Sequence, residues 1–375
     1  MENMNQKFLK KIAHFQVKNP IITIFMLFFL TIIIWGGISK VETVASLELM
    51  MPKSVSEIST FNDLRDSGLG QDMIAIVLRV DSNSFIEDSI NNIDDIRVEN
   101  YISSLSSVLA RESGVLAINS FVGLPEDMKK DFISSDLRST YILINTDLAT
   151  DDFRMNLLVN RINGVLLDFE SLSGVSYELT GTPIVQQKLG QLINLDRANT
   201  QWISTLMVFI ITALIFRSIL SAIVPIIVVF ASVNWLYGTM GYTGLPISTL
   251  AGGVAAMVIG IGIDFAIHII NKFKFERKNG LSILESVELA VVHTGSALGT
   301  TSLTTMAAFL AFMVGVMPEM GRFGILMAIG IFYSLVFSIF GLPALLVIEE
   351  RIIYFVKSKF SFGIENEFVL DEVKK

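Results

Sequence analysis

Long apolar runs separated by short polar breaks dominate the chain. Six of them are long enough to cross a bilayer as helices, which takes about 20 residues each. They lie at residues 20–38, 202–216, 220–237, 247–270, 297–316 and 324–348. The first run lacks a small-residue cleavage signal, Trp35-Gly36-Gly37 being a poor one, so it reads as a retained helix. Between the first and second runs the period changes. Residues 72–80 (DMIAIVLRV) have the character of a strand. Residues 97–111 are helical, with Tyr101, Leu105, Val108 and Leu109 on one side. Residues 115–122 and 139–146 read as strands, 152–169 as a helix opened by an Asp cap, and 175–179 as a last strand. The order β-α-β-β-α-β is the ferredoxin-like one. Phe61, Phe85, Phe121 and Phe132 are expected in its core. From Val185 onward a helix is expected to continue into the second span.

The predicted fold class is therefore a membrane α-helical bundle of six transmembrane helices with an inserted extracytoplasmic α+β domain. The divisions are 1–19, a basic cytoplasmic N-terminus; 20–38, the first span; 39–197, the extracytoplasmic domain; 198–348, spans two to six, with a cytoplasmic loop at 271–294; and 349–375, a cytoplasmic tail.

Charge orients this scheme. Lys7, Lys10, Lys11 and Lys18 precede the first span against a single acid, Glu2. Arg217, the group Lys272, Lys274, Arg277 and Lys278, and then Arg351, Lys357 and Lys359 fall on the same side. The opposite turns carry no charge (238–246) or one of each sign (318–322). The excess of Lys and Arg in short loops marks the inside, which puts both termini in the cytoplasm and the chain in the cytoplasmic (inner) membrane. Leu281, Ile283, Leu284, Val287 and Val291 give the 272–292 stretch an apolar face opposite Glu285 and Glu288, so it reads as a helix lying on the inner surface or as a solvated connector.

Composition narrows the chemistry. The chain is 52% hydrophobic and 17% charged, against about 25% charged in soluble domains. The net charge of -8 comes from the 39–197 region, with 24 acidic and 13 basic residues, so no basic patch for nucleic acid is present. With Cys 0, disulfides and thiolate metal sites are excluded. His14, His268 and His293 are too scattered for a metal cluster, and no nucleophile elbow or nucleotide motif occurs. Gly260-Ile261-Gly262 lacks the Lys-Ser/Thr end of a phosphate loop. No cofactor is expected.

Asp264 is read as the carboxylate lying well inside an apolar run. A charge there costs about 2.5–3.5 kcal/mol on insertion scales and usually faces a bundle interior or a water path. Gly252, Ala256, Gly260, Asp264 and His268 recur every four residues, so they drift slowly around one face. Small residues let another helix approach, which predicts that Asp264 faces a helix contact, with Gly262 also in the packing set. His268 lies one turn nearer the cytoplasm and either relays a proton or marks the interface. Thr301, Thr304 and Thr305 share a face of the fifth span; their hydroxyls either serve Asp264 or bond back to their own helix.

These segments resemble the RND superfamily, in particular its MMPL-like exporter branch. Gly260–His268 is similar to the family's fourth-helix motif, Leu179–Pro183 to the end of its outer domain, and Phe216-Arg217-Ser218 to its tight turn between spans two and three. Thr304-Thr305 with Phe309 resembles its fifth helix, and Phe323-Gly324 with Pro343-Ala344-Leu345 its sixth. The resemblance covers nearly the whole chain. It implies a porter-type outer domain and export of lipids or other hydrophobic or amphiphilic compounds, driven by the proton gradient. It implies two such halves, hence a homodimer or pairing with a second RND half, among membrane lipids. Phe265 stands where the family usually has Tyr or a second Asp, and no Lys occurs within a span. Two other roles stay open: a non-pumping lipid or sterol sensor or accessory subunit, and a secretion accessory of the same superfamily.

Overall fold

The computed structural model describes residues 4–44, 56, 60, 72–80, 90, 92–150, 152–169 and 172–360. The chain divides into two compact units, Val44–Asn194 and the pair of segments Met1–Thr43 and Leu195–Lys375.

In the first unit the elements run β1 (Met73–Val80), α3 (Ile96–Leu109), β2 (Val115–Asn119), α4 (Glu126–Lys129), β3 (Ser139–Thr146), α5 (Phe153–Asp168) and β4 (Val175–Gly181), after α1 and α2 of the other unit. The strands form one antiparallel sheet in the order β2-β3-β1-β4. Alternation explains the register. Ile74, Ile76 and Leu78 of β1 and Ile142 and Ile144 of β3 point to one buried face. Ile102, Leu105 and Leu109 of α3 and Met155, Leu158 and Ile162 of α5 belong to the same core. Phe121 is buried there and Phe132 packs against it, while Phe61 and Phe85 lie outside the described residues. Asp95 and Asp152 open the two long helices, each accepting a backbone N–H two residues on and the guanidinium of that same arginine, Arg97 or Arg154. Gly181 ends β4 at φ 114, a conformation that favours glycine, and the next residue starts α6 (Thr182–Phe216), an unbroken helix of 35 residues.

The second unit holds α1 (Met4–Lys18), α2 (Pro20–Trp35), most of α6, α7 (Ile219–Thr243), α8 (Val254–Lys278), α9 (Ile283–Leu289), α10 (Gly295–Leu310), α11 (Pro318–Phe340) and α12 (Leu342–Phe360). Among the described residues six segments are long and apolar enough to cross a membrane: Pro20–Lys40, Thr182–Phe216, Ile219–Thr243, Ala251–Lys278, Ile283–Val314 and Pro318–Phe340. The last apolar run, expected to reach Ile348 unbroken, breaks at Gly341. Pro343 has no N–H to offer the Ile339 carbonyl, so the helix cannot continue smoothly. Gln16 Nε2 takes over, donating to the carbonyls of Ile339 and Phe340 at 2.9 Å each.

The 271–294 stretch, the inter-span connection read as an amphipathic helix over 272–292, is largely helical. α8 runs on to Lys278, Ser282 and Glu285 form a capping box at α9, and a π-helical turn at Ala290–Thr294 leads into α10. Leu281, Ile283 and Leu284 of its apolar face are half-buried. Val287 and Val291 are buried, and the segment packs on α1 and α8.

Packing is closest where side chains are smallest. A Cβ added at Gly238 or Gly241 of α7 would collide with the backbone of the α2 end, at Ile34 and Gly37. That approach lets Trp235 donate to Thr31 Oγ1 at 2.9 Å while its ring meets Tyr333 and Phe337 edge-on. Gly238→Leu is expected to separate α2 from α7 and to cost about 1–3 kcal/mol, read as a lower thermal midpoint in detergent.

Asp95 and Asp152 are held below the usual carboxylate range, chiefly by the side-chain hydrogen bonds from Arg97 and Arg154 and next by the backbone ones. A lowered folded pKa stabilises above the unfolded value and is lost as pH falls through the folded one. Replacing both with Ala is therefore expected to reduce amide-exchange protection in α3 and α5 near neutral pH, with the difference from wild type shrinking in acid.

Candidate proton-coupling site

Asp264 lies midway along its span, about 20 Å from either end at 1.5 Å per residue. α8 has two dissimilar faces. Val254, Val258, Gly262, Ala266, Ile269 and Phe273 are buried among α8's neighbours, chiefly α11 and α7. A Cβ on Gly262 would come within 2.7 Å of Ser334 Oγ and 3.4 Å of Val229. The other face carries the row predicted to meet a helix, and the chain leaves much of it open. Gly260, Asp264 and His268 are exposed, and Gly252 and Ala256 are half-buried. A Cβ on Gly260 would meet nothing within 4 Å. The expectation that Asp264 faces a helix contact is thus not met inside this chain, because α8 turns its bulkier aliphatic side inward. Gly262 does pack closely, but on the side away from Asp264.

The threonines of α10 are bonded locally. Thr301 donates to the Ala297 carbonyl at 3.1 Å, and Thr304 and Thr305 both donate to that of Thr301, at 2.8 and 2.9 Å. Among the described residues none of these hydroxyls bonds to Asp264, and the side chains of Asp264 and His268 make no hydrogen bond or ion pair.

Three other acids are buried that the sequence reading passed over. Glu349 of α12 accepts from Ser221 at 2.5 Å, and Lys274 donates to the same hydroxyl at 2.7 Å, so one serine bridges α7, α8 and α12. Glu276 pairs with Lys272 at 2.6 Å. Arg277 grips Glu350 with two nitrogens, at 3.3 and 3.2 Å. At the opposite end of the bundle Glu319 accepts the Leu250 N–H at 3.2 Å. Glu276 and Glu349 sit beyond the expected span ends, which is why apolar-run reading left them out. The i, i+4 continuation from His268 through Lys272 to Glu276 was the available signal.

The chain matches the MMPL family over residues 63–359. It belongs to that family. A protein of Methanocaldococcus jannaschii described only as a membrane protein, MJ1562, is 29% identical over 371 residues, covering 93% of this chain and 95% of that one. The probable transport protein MmpL12 of Mycobacterium tuberculosis is 23% identical over 257 residues. The probable trehalose monomycolate exporter MmpL3 of Mycobacterium leprae is 22% identical over 158 residues. The aligned parts are 67% and 41% of this MMPL chain but only 22% and 16% of those two larger proteins.

The two glycines of the motif separate packing within the MMPL chain from packing outside it. Gly262→Leu is expected to lower the thermal midpoint of the purified chain by several degrees, through overpacking against Ser334 and Val229. Gly260→Leu is expected to leave the fold of the single chain intact, with the same midpoint in a detergent that keeps chains apart.

Proposed function

We propose that this MMPL protein is a proton-driven exporter of lipids or other hydrophobic or amphiphilic compounds, working as a pair of six-helix halves. One observation carries the reading: Asp264 stands mid-span on a small-residue face that its own chain leaves open. A lone chain would set that carboxylate against acyl tails at the insertion cost given above. A second copy laid along Gly252, Ala256 and Gly260 would cover it and bring two such acids to one contact. MmpL12 and MmpL3, named for transport, support a transporter rather than an enzyme. The exporter named for a lipid supports the substrate class.

In this reading the proton gradient is the energy source, worth about 2.3 kcal/mol per charge per 100 mV in its electrical part. Protonation neutralises Asp264 and lets α8 repack, with His268 passing the proton inward. Thr301, Thr304 and Thr305 are free to exchange their local bonds for bonds to Asp264 or to water once the face is covered. The sheet unit is the extracytoplasmic domain, of ferredoxin-like build. Its strand order, with α3 and α5 in the β-α-β-β-α-β sequence, supports that label. Both termini lie in the cytoplasm, and the membrane is the cytoplasmic one.

The local bonding of the threonines favours a second reading, a lipid-sensing or accessory subunit that does not pump. Asp264→Asn separates the two. Loss of proton-coupled release of a fluorescent lipid analogue from energised inverted vesicles, with insertion and pairing retained, is the expected result. Full activity in the mutant would remove Asp264 as the proton site. A purified wild-type chain that stays monomeric in bilayer discs by mass would remove the paired assembly.

A further inference from the structure

The helix α1 carries no acid and is fastened to the bundle along one side. Gln16, 1% exposed, holds the carbonyls of Ile339 and Phe340, the last two residues of the sixth apolar segment. Lys10 pairs with Glu288 at 3.1 Å, near the start of the fifth. Ala13, between them, is fully buried. Two residues after Lys18 the first segment opens at Pro20. Successive spans alternate in direction, so the starts of the first and fifth and the end of the sixth lie at one end of the bundle. Asn19 leaves the helical region (φ -130, ψ 59), and α1 turns there to pack on α9 and α12 instead of prolonging α2. It therefore lies across the feet of three spans, at the level where the bilayer meets water.

The outward side of α1 is open. Lys7, Phe8, Lys11, His14, Phe15 and Lys18 are all exposed and share one face, an arc of about 120° at about 100° per residue. The lysines occupy the middle of the arc. Phe8 and Phe15, 60% and 49% exposed, stand about two turns apart along one margin. That margin adjoins Ile12 and then Gln16, the side on which α1 reaches the last turn of α11. The rings thus lie towards the span ends and the lysines beside them, further out. Among the described residues Lys7, Lys11 and Lys18 make no ion pair. Aromatic rings with lysines alongside, on a helix at this level, suit an anionic leaflet. The rings enter the acyl boundary, and the lysine stems lie along it while their ammonium groups meet phosphates.

We propose that the outward face of α1 is a docking surface for the anionic headgroups of the leaflet at this end, the cytoplasmic one in the orientation proposed above. Its inward face keeps Gln16 on the carbonyls next to the Pro343 break, so one helix ties the leaflet surface to the junction of α11 and α12. The docking depends neither on Asp264 nor on transport.

The full chain would be placed in bilayer discs of phosphatidylcholine, alone or mixed with phosphatidylglycerol, and amide exchange followed by mass spectrometry. Phosphatidylglycerol is expected to slow exchange over residues 7–18 by roughly fivefold for each lysine engaged, and high salt to reverse the effect. Replacing Lys7, Lys11 and Lys18 together with Gln should abolish the difference between the two discs. Phe8→Ser with Phe15→Ser should speed exchange in both. With Cys 0 in the chain, His14→Cys takes a single environment-sensitive dye, whose emission should move to the blue when phosphatidylglycerol is added. Thermal midpoints in neutral detergent check that each variant still folds, and the salt reversal in wild type decides the matter without any variant. Equal exchange of wild-type α1 in the two discs would overturn the proposal. So would protection in phosphatidylcholine alone that is lost on removing residues 361–375, which would make the chain's own acidic tail the occupant. Asp264→Asn should keep the wild-type lipid response, so failure of the proton reading and failure of this docking are read separately.

Discussion

The close fit of α7, α8 and α11 decides how everything else in the bundle is placed. Gly262 lies against Ser334 and Val229, and Gly330 against Val258 and Leu236, so three helices meet where side chains are absent or short. Hydrocarbon gives little drive for helices to associate by burying apolar area, since lipid tails are as apolar as leucine. Close contact and dispersion take over that role. Once Gly262 is committed to this contact, the rotation of α8 about its axis is set. Asp264, two residues on, is then turned away from the three-helix centre. The same fit commits the chain to leaving a carboxylate uncovered in the middle of a span.

Charge elsewhere in the bundle is handled differently. Near the ends of the helices, acids and bases are matched: Lys272 with Glu276, Arg277 with Glu350, and Lys274 with Glu349 through Ser221. Breaking one partner of such a buried group is costly because the other is left uncompensated. The Arg277–Glu350 pair and the Lys274–Ser221–Glu349 contacts tie α12 to α7 and α8 beyond the Gly341 break. Pro343 interrupts the backbone, and Gln16 and the ion pairs restore the connection. Among the described residues Asp264 has no such match; buried Glu319 also lacks a base, but it accepts the Leu250 N–H.

The legibility of the sequence varied with how local each cause was. All four strands and both long helices of the sheet unit could be placed from period, because Ile74, Ile76 and Leu78 alternate, Tyr101, Leu105 and Leu109 share a helix face, and Asp152 marks a helix start. The existence of six spans was readable from run length. Their ends were less so. The break at Gly341 is invisible to hydropathy, since both sides of it are apolar, although Pro343 carried a usable signal. The helix within 271–294 was readable from its apolar spacing, and only its packing on α1 shows that this face has an internal partner.

For the site, the sequence by itself determined which groups are present: one carboxylate mid-span, a histidine one turn on, a row of small residues, and threonines on a neighbouring helix. Composition and spacing are properties of a single helix, and they survive in any arrangement. Tertiary structure alone decided which face of α8 is covered and that the threonine hydroxyls are spent on their own backbone. Those outcomes depend on how helices distant in sequence rotate against one another. That rotation is fixed by shape complementarity summed over many contacts, which no single stretch of sequence contains.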